Sequence, residues 1–226
     1  MNIKMAVDEK GRPEIFESVQ GEGPRAGQPA LFLRLAGCNL RCKWCDTKYA
    51  YKGKDTNAIR FILPKMNDYR RWGLIVITGG EPLLQKDGLN FLLRRLTSDK
   101  FVTIETNGTQ KPIERGLFKN EPLCKIEYSV SPKLHHIKLD ILDLYSKYTN
   151  AYFKFVVDTK SDLKKIDNIA KTLGVLNDEV YLMPQGIEDT EIKKKALDFV
   201  IPHCIKKGYR FSPRLQVWLW GNKRGV

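Results

Sequence analysis

Short runs rich in Val, Ile, Phe and Tyr alternate along the chain with longer stretches whose apolar residues recur every three or four positions. The runs 30–36, 74–78, 101–105, 125–130, 152–157, 180–183 and 209–211 sit beside Gly, Pro or Asn and read as strands. The stretches 58–71, 88–97, 139–148, 162–173 and 191–207 read as helices, with Asp87, Ser161 and Thr190 as N-caps. Pro202 falls inside the last of them, which must tolerate it or kink there. Alternation of strand and helix predicts an α/β fold, a parallel sheet covered by helices. A doubly wound sheet and a barrel both satisfy that order. A closed eight-unit barrel takes about 250 residues, so a chain with about six βα units predicts an incomplete, partial barrel. No repeat, low-complexity stretch or linker divides the chain, and residues 1–226 read as a single domain.

Composition narrows the class. With 42 % hydrophobic and 29 % charged residues the chain has the makings of a packed core and is not a disordered one. Its longest apolar runs, 31–33 and 74–77, fall far short of the ~20 residues a membrane span needs. Residues 1–10 mix charges among the apolar positions, unlike a signal peptide, and the expected location is the cytoplasm. Lys and Arg number 39 against 26 Asp and Glu, a formal charge of +13 that attracts nucleic acid, acidic headgroups or acidic small substrates. The charges are spread along the chain, so a plainly solvated basic surface is the competing reading.

The five cysteines change the picture more. Cys38, Cys42 and Cys45 fall in Gly-Cys-Asn-Leu-Arg-Cys-Lys-Trp-Cys-Asp-Thr, a C-x3-C-x2-C spacing, while Cys124 and Cys204 stand alone and read as core residues. An odd, clustered set does not suit a secreted disulfide framework. Thiolates prefer zinc or iron–sulfur. A structural zinc would need a fourth ligand, from Cys124, Cys204 or one of His135, His136 and His203. A 4Fe–4S cluster on three cysteines would instead leave one iron open to a reactant.

Polar or Gly/Pro-rich segments follow successive strands: Thr78-Gly79-Gly80-Glu81-Pro82, Glu105-Thr106-Asn107-Gly108, Ser131-Pro132-Lys133 and Met183-Pro184-Gln185-Gly186. Barrel active sites lie at the C-terminal ends of the strands, so these four predict one converging mouth. Polar turns end many strands without any such role. Glu81 is suited to accept from an ammonium, and the paired glycines let backbone approach a ligand. Residues 17–24, Glu-Ser-Val-Gln-Gly-Glu-Gly-Pro, read as a Gly-rich turn before the first strand. Arg34, alone in an apolar run, either faces solvent, pairs with an acid or forms a fork for a substrate carboxylate.

The triplet, with aromatic Trp44 just before the last cysteine, together with Gly-Gly-Glu-Pro resembles the radical S-adenosylmethionine (SAM) enzymes. Gln20-Gly21-Glu22-Gly23, then 29–47, Thr-Gly-Gly-Glu-Pro, Glu-Thr-Asn-Gly, Ser-Pro-Lys and the C-terminal Leu-Trp-Gly-Asn-Lys-Arg-Gly-Val are similar to the 7-carboxy-7-deazaguanine synthase family over nearly the whole chain. The resemblance implies the partial barrel of the radical SAM type. It implies a carbon–nitrogen lyase that contracts 6-carboxy-5,6,7,8-tetrahydropterin to 7-carboxy-7-deazaguanine and releases ammonia, on the route to queuosine. It also implies a 4Fe–4S cluster, SAM, Mg²⁺, an external electron donor of flavodoxin or ferredoxin type, and a homodimer. No nucleic-acid or membrane partner is implied. Carried over, Cys38, Cys42 and Cys45 hold the cluster, and Thr47 ligates Mg²⁺. Trp44, Cys45, Asp46, Gly79, Gly80, Glu81, Gly108, Ser131, Lys133 and Gln185 bind SAM. Val19, Gln20, Gly21, Arg34 and Thr106 bind the pterin. No side chain is implied as the catalyst, because the cofactor carries the hard step.

Many members carry Gln-x-His near the C-terminus, where this chain has Gln216-Val217-Trp218 and Trp218 is expected in the core. Two rival readings remain. A glycyl-radical-enzyme activase shares the triplet and Gly-Gly-Glu-Pro, but Gln20–Gly23 favours the pterin enzyme. A zinc-stabilised nucleic-acid module would use the basic charge, but the chain has no zinc-finger spacing or other standard binding motif.

Overall fold

The computed structural model describes residues 2–56, 59–70, 73–113, 124–147, 150–221 and 223–226. The expected helix ends at 58, 71 and 148, and Asn222 of the C-terminal motif, lie outside the described residues. In chain order the elements are β1 (Ile3–Met5), β2 (Ile15–Val19), β3 (Pro29–Leu35), β4 (Lys54–Thr56), α1 (Ile59–Asp68), β5 (Leu74–Gly79) and α2 (Lys86–Leu93). There follow β6 (Phe101–Thr106), β7 (Lys125–Val130), α3 (Leu139–Ser146), β8 (Ala151–Val157) and α4 (Lys160–Leu173). The chain ends with β9 (Val180–Pro184), α5 (Asp189–Lys195), α6 (Ile201–Lys207), β10 (Arg210–Phe211) and α7 (Leu215–Trp220).

The strands form one sheet in the order β10-β9-β8-β7-β6-β5-β3-β1-β4, with β2 also on β3. Every neighbour pair from β3 to β10 is parallel. Among the described residues β10 and β4 remain unpaired edges, so the barrel is open, as the chain length predicted.

Side chains alternate across a strand, and here the alternation sorts the chemistry. One register, including Leu31, Leu33, Ile75, Ile77, Val102, Ile104, Phe153 and Phe155, packs under the helices in the main core. Each such side chain fully buried contributes roughly 1.5–3 kcal/mol. The opposite register carries Arg34, Thr78, Glu105 and Lys154 together with the small apolar cluster Ala30, Phe32, Leu74 and Val76. That face lines the concave side. The charged residues inside apolar strands are therefore the inner register of the open barrel.

Three short strands escape the sequence reading. β1 and β4 have three residues each, too few to show a period. β2 covers 15–19, so Glu17-Ser18-Val19 is not a turn; it pairs antiparallel with β3, Val19 opposite Pro29 and Ile15 opposite Leu33. Residues 20–25 then cross the concave face. Gly23 N–H donates to Ser212 Oγ (2.9 Å), and Arg25 pairs with Glu127 of β7 (3.2 Å) over the Phe101 ring.

Helix ends also move. α4 starts at Thr159, not Ser161, because Asp162 turns its carboxylate back to the Thr159 N–H (2.9 Å). α2 follows a 3-10 turn over Pro82–Gln85, so Asp87 lies in its first turn, and Glu188 rather than Thr190 precedes α5. The single helix expected over 191–207 contains a π turn at Ala196–Val200. It precedes Pro202, whose ring and missing N–H would disrupt an ordinary turn. Cys124 and Cys204 are buried, as expected, and burial pushes the Cys204 thiol up to about 11. Trp218 is not in the core: it is 63 % exposed, and α7 buries Val217 instead.

Candidate active site

A cavity of about 520 Å³ opens where the parallel strands end. All four segments predicted to converge reach it, through Thr78, Gly79 and Gly80, Glu105 to Asn107, Ser131 and Lys133, and Met183 and Gln185. The cysteine loop supplies Cys38, Cys42, Trp44, Cys45, Asp46 and Thr47. Val19, Gln20, Gly21 and Arg34 line it as well. Of the site residues read from sequence, Glu81 and Gly108 do not line it. Gly108 packs beneath α3, where an added Cβ would meet Leu142 at 2.6 Å.

Glu81 is a structural hub. Its backbone N–H donates to Gly37 O (2.8 Å), and its carboxylate accepts from Leu83 N (3.0 Å), Thr106 Oγ1 (2.9 Å) and Asn107 N (2.7 Å). Burial raises its pKa, while those hydrogen bonds oppose the rise. It joins the exits of β3, β5 and β6 under the cysteine loop. The glycines beside it serve the same junction. A Cβ on Gly79 would fall 2.0 Å from Leu35 O, and one on Gly80 2.0 Å from Gly37 O. The pair is needed because the β5 exit lies directly against the β3 exit, a close approach of backbone to backbone.

The loop is clamped from a second side. Asn39 Nδ2 donates to Thr109 Oγ1 (2.8 Å), and Asn107 Nδ2 donates to Asn39 Oδ1 (3.1 Å). His135 Nε2 lies 3.8 Å from Cys42 Sγ, and its ring meets Trp44 edge-on at 5.0 Å. All three thiols of the loop are free. Burial pushes the Cys38 and Cys42 thiols up. Among the described residues no three His, Cys, Asp or Glu side chains are gathered so as to hold a single metal ion. Three soft donors on one loop, facing a cavity, fit an iron–sulfur cluster with one iron open.

Lys133 bears on what else the cavity suits. Its ammonium donates to Ser131 Oγ (2.9 Å), and among the described residues no acid forms an ion pair with it. Burial, then the Lys154 charge, holds its pKa below the ordinary lysine value. An unpaired cation beside the thiols fits a carboxylate-bearing ligand such as SAM. Thr47 Oγ1 donates to Asp46 Oδ1 (3.0 Å), and Asp46 Oδ2 accepts from Arg214 (2.8 Å). These oxygens suit a hard cation.

The concave face holds residues that the sequence reading passed over. Arg34 Nε stands 3.3 Å from Glu14 Oε1, and Arg224 Nη2 stands 2.9 Å from Glu14 Oε2. Among the described residues the terminal nitrogens of Arg34 have no hydrogen-bond partner; its guanidinium lies over the Phe16 and Tyr49 rings (5.6 and 5.9 Å) and lines the cavity. Glu105 accepts from Thr78 Oγ1 (2.7 Å) and Gln20 Nε2 (3.2 Å). Glu22 accepts from Lys154 and from Gln216 Nε2 (2.6 Å). Burial alone would raise the Glu22 pKa, but the charges of Lys154 and Arg214 bring it down to about 2. Lys154 shares with Arg34 one available signal, a lone charge within an apolar strand. Gln216 and Arg224 fall in the C-terminal motifs that the sequence shares with the family, but nothing in their local pattern assigned them a role, and Arg214 has no local signal, since α7 and the C-terminal residues join the site only through the fold. Among the described residues six basic and three acidic side chains line the cavity, a balance that favours an anionic ligand.

Comparison with known proteins agrees with this arrangement. The radical SAM superfamily profile matches residues 33–202. A 7-carboxy-7-deazaguanine synthase of Pyrobaculum aerophilum is 37 % identical over 223 residues, covering 94 % of this chain and 95 % of its own. One from Thermoplasma acidophilum is 38 % identical, covering 94 % and 98 %. One from Rhodopirellula baltica is 34 % identical, covering 94 % and 87 %. The crystal structure of QueE from Escherichia coli superposes with a TM-score of 0.63 at 25 % identity, covering 94 % of this chain and 93 % of that one.

Proposed function

The chain belongs to the radical SAM superfamily and, within it, to the 7-carboxy-7-deazaguanine synthase family, and from that premise we propose that it converts 6-carboxy-5,6,7,8-tetrahydropterin to 7-carboxy-7-deazaguanine with release of ammonia. The observation that carries this reading is a juxtaposition. Three free thiols and Arg34 line one largely basic cavity. Relatives 34–38 % identical over most of the chain do not favour a glycyl-radical activase.

A 4Fe–4S cluster and SAM, when bound, supply an adenosyl radical able to take hydrogen from unactivated carbon. Cys38, Cys42 and Cys45 would hold the cluster as thiolates. Lys133, supported by Ser131, would take the SAM carboxylate, with Trp44, Asp46, Gly79, Gly80 and Gln185 around the rest. Glu81 and Gly108 would act from behind that wall, by fixing the β5 and β6 exits.

Arg34 would grip the pterin carboxylate, its free nitrogens forming the fork and Glu14 holding the opposite edge of the guanidinium. Val19, Gln20, Gly21 and Thr106 would border the ring. Gln20, Gly21 and Glu22 line the cavity, and the segment they open is tied down by the Gly23–Ser212 and Arg25–Glu127 contacts. Thr47 would present its hydroxyl to Mg²⁺ beside Asp46.

Among the described residues no helix is long and apolar enough to cross a membrane. The protein would act in the cytoplasm as a homodimer, reduced by an external electron donor. Anaerobic turnover of 6-carboxytetrahydropterin, read by mass spectrometry, tests the reading.

A further inference from the structure

Behind the cavity wall one lysine has every donor in use. Lys195, the last residue of α5, has a side chain only 16 % exposed, and it is not among the described residues that line the cavity. Its ammonium carries three N–H donors. Each has its own acceptor: Asp158 Oδ1 (2.7 Å), Glu191 Oε1 (2.7 Å) and Gln185 Oε1 (2.8 Å). Asp158 directly follows β8, Gln185 directly follows β9, and Glu191 lies one turn earlier on α5. The lysine thus ties two strand exits to one helix.

The contact with Gln185 has a sense. An ammonium only donates, so it can hold a carboxamide by the oxygen alone. The Gln185 Nε2 is left as the free end, and among the described residues it has no hydrogen-bond partner. Gln185 itself lines the cavity. Its backbone N–H donates to Val157 O (2.8 Å). The next residue, Gly186, packs so closely on α5 that an added Cβ would meet Ile192 at 2.7 Å. With the backbone pinned, the freedom left is in the side-chain torsions, and Lys195 fixes those.

We propose that Lys195 is a positioning residue for SAM: it holds the Gln185 carboxamide by its oxygen, so that the NH2 group is kept as a donor for an acceptor atom of the bound cofactor. The proposal rests on the reading that Gln185 borders SAM. Ordering a rotamer-rich side chain during binding lowers affinity, and Lys195 orders this one beforehand. The other two partners make the role separable from fold stability. Asp158 and Glu191 are both exposed, so water solvates them when Lys195 is replaced, and no buried charge is left unpaired. The effect of a substitution at Lys195 therefore falls on Gln185.

The test uses the reconstituted, cluster-loaded holoenzyme, with SAM itself as the probe. Equilibrium dialysis gives the SAM Kd, and anaerobic turnover gives kcat and the KM for the pterin. Lys195→Met is expected to raise the SAM Kd about 3- to 10-fold, the range for one lost hydrogen bond, with the pterin KM unchanged. Lys195→Arg, which keeps a charged donor, should restore most of the binding. In a Gln185→Leu background, Lys195→Met should weaken SAM no further, because both changes act through the same amide. Gln185→Glu keeps the contact with Lys195 but has no N–H to offer, and it should weaken SAM as much as Gln185→Leu does. That variant carries the test if Lys195→Met fails to fold. Wild-type SAM affinity in Lys195→Met or in Gln185→Glu would overturn the proposal. So would losses that multiply in the double variant, or an equal rise in the pterin KM. If Gln185→Leu binds SAM as the wild type does, the reading of Gln185 as a SAM residue falls and takes the proposal with it, a result distinct from failure at Lys195 alone.

Discussion

The ammonium of Lys154, on β8, meets the carboxylate of Glu22, on the segment crossing the concave face, with the two side chains only 5 % and 15 % exposed. The pair fastens the floor of the cavity to the sheet. Removing one partner leaves the other charged and buried, which costs about 3–5 kcal/mol. Lys154→Met and Glu22→Gln are each expected to lower unfolding free energy by that order, and the double variant by less than their sum. Denaturant titration of the three variants measures this; strictly additive losses would remove the pair from the account.

The same pair sets an acid limit. Glu22 is held at about 2, below its ordinary 4.5. A depressed carboxylate stabilises the fold fully above its unfolded pKa and loses that contribution as pH falls through the folded value. Stability is therefore expected to drop between pH 4.5 and about 2, and Glu22→Gln should flatten that limb. Thermal unfolding across the interval decides it; a wild-type slope retained in the variant assigns the acid limit to other carboxylates.

At the β3–β5 junction a single methyl group should suffice to spoil the site. Gly80→Ala places a carbon 2.0 Å from Gly37 O, so the cysteine loop must shift. A stability loss of about 1–3 kcal/mol is expected, with lower iron and sulfide content after reconstitution. A variant that loads a full cluster with wild-type stability would show that the junction has slack.

Arg34 is predicted to read the substrate carboxylate. Arg34→Gln should raise KM for the carboxylated pterin about 10- to 100-fold, the range for a lost hydrogen bond between charged groups. It should leave weak binding of a pterin lacking the carboxylate unchanged. Equal losses for both ligands would mean that Arg34 supports the cavity wall through Glu14 rather than touching substrate.

How far these features were legible in the sequence depended on how local their cause was. β7 matches its expected range, and the other long parallel strands shift by a residue or two, because unbroken apolar runs bounded by Gly, Pro or Asn leave little choice. The cysteine loop was legible because ligand spacing is a local property. β2 was not, since its pattern includes Glu17 and only pairing with β3 makes it a strand. Glu81 looked like a free acceptor at a turn; only the fold brings Asn107 and Thr106 to its carboxylate. Trp218 illustrates the converse: its size argued for the core, but its place on α7 turns it to solvent. Arg34 and Lys154 each stand alone in an apolar strand. Such a charge marks the inner register of an open barrel, and that signal would have found Lys154 as well.

The central claim is tested most directly by supplying anaerobically reconstituted protein with SAM, reductant, Mg²⁺ and 6-carboxytetrahydropterin, and measuring 7-carboxy-7-deazaguanine by mass spectrometry. The account predicts product from the wild type and none from Cys42→Ala. A wild type that loads its cluster and cleaves SAM to 5′-deoxyadenosine, yet forms no 7-carboxy-7-deazaguanine, would contradict it.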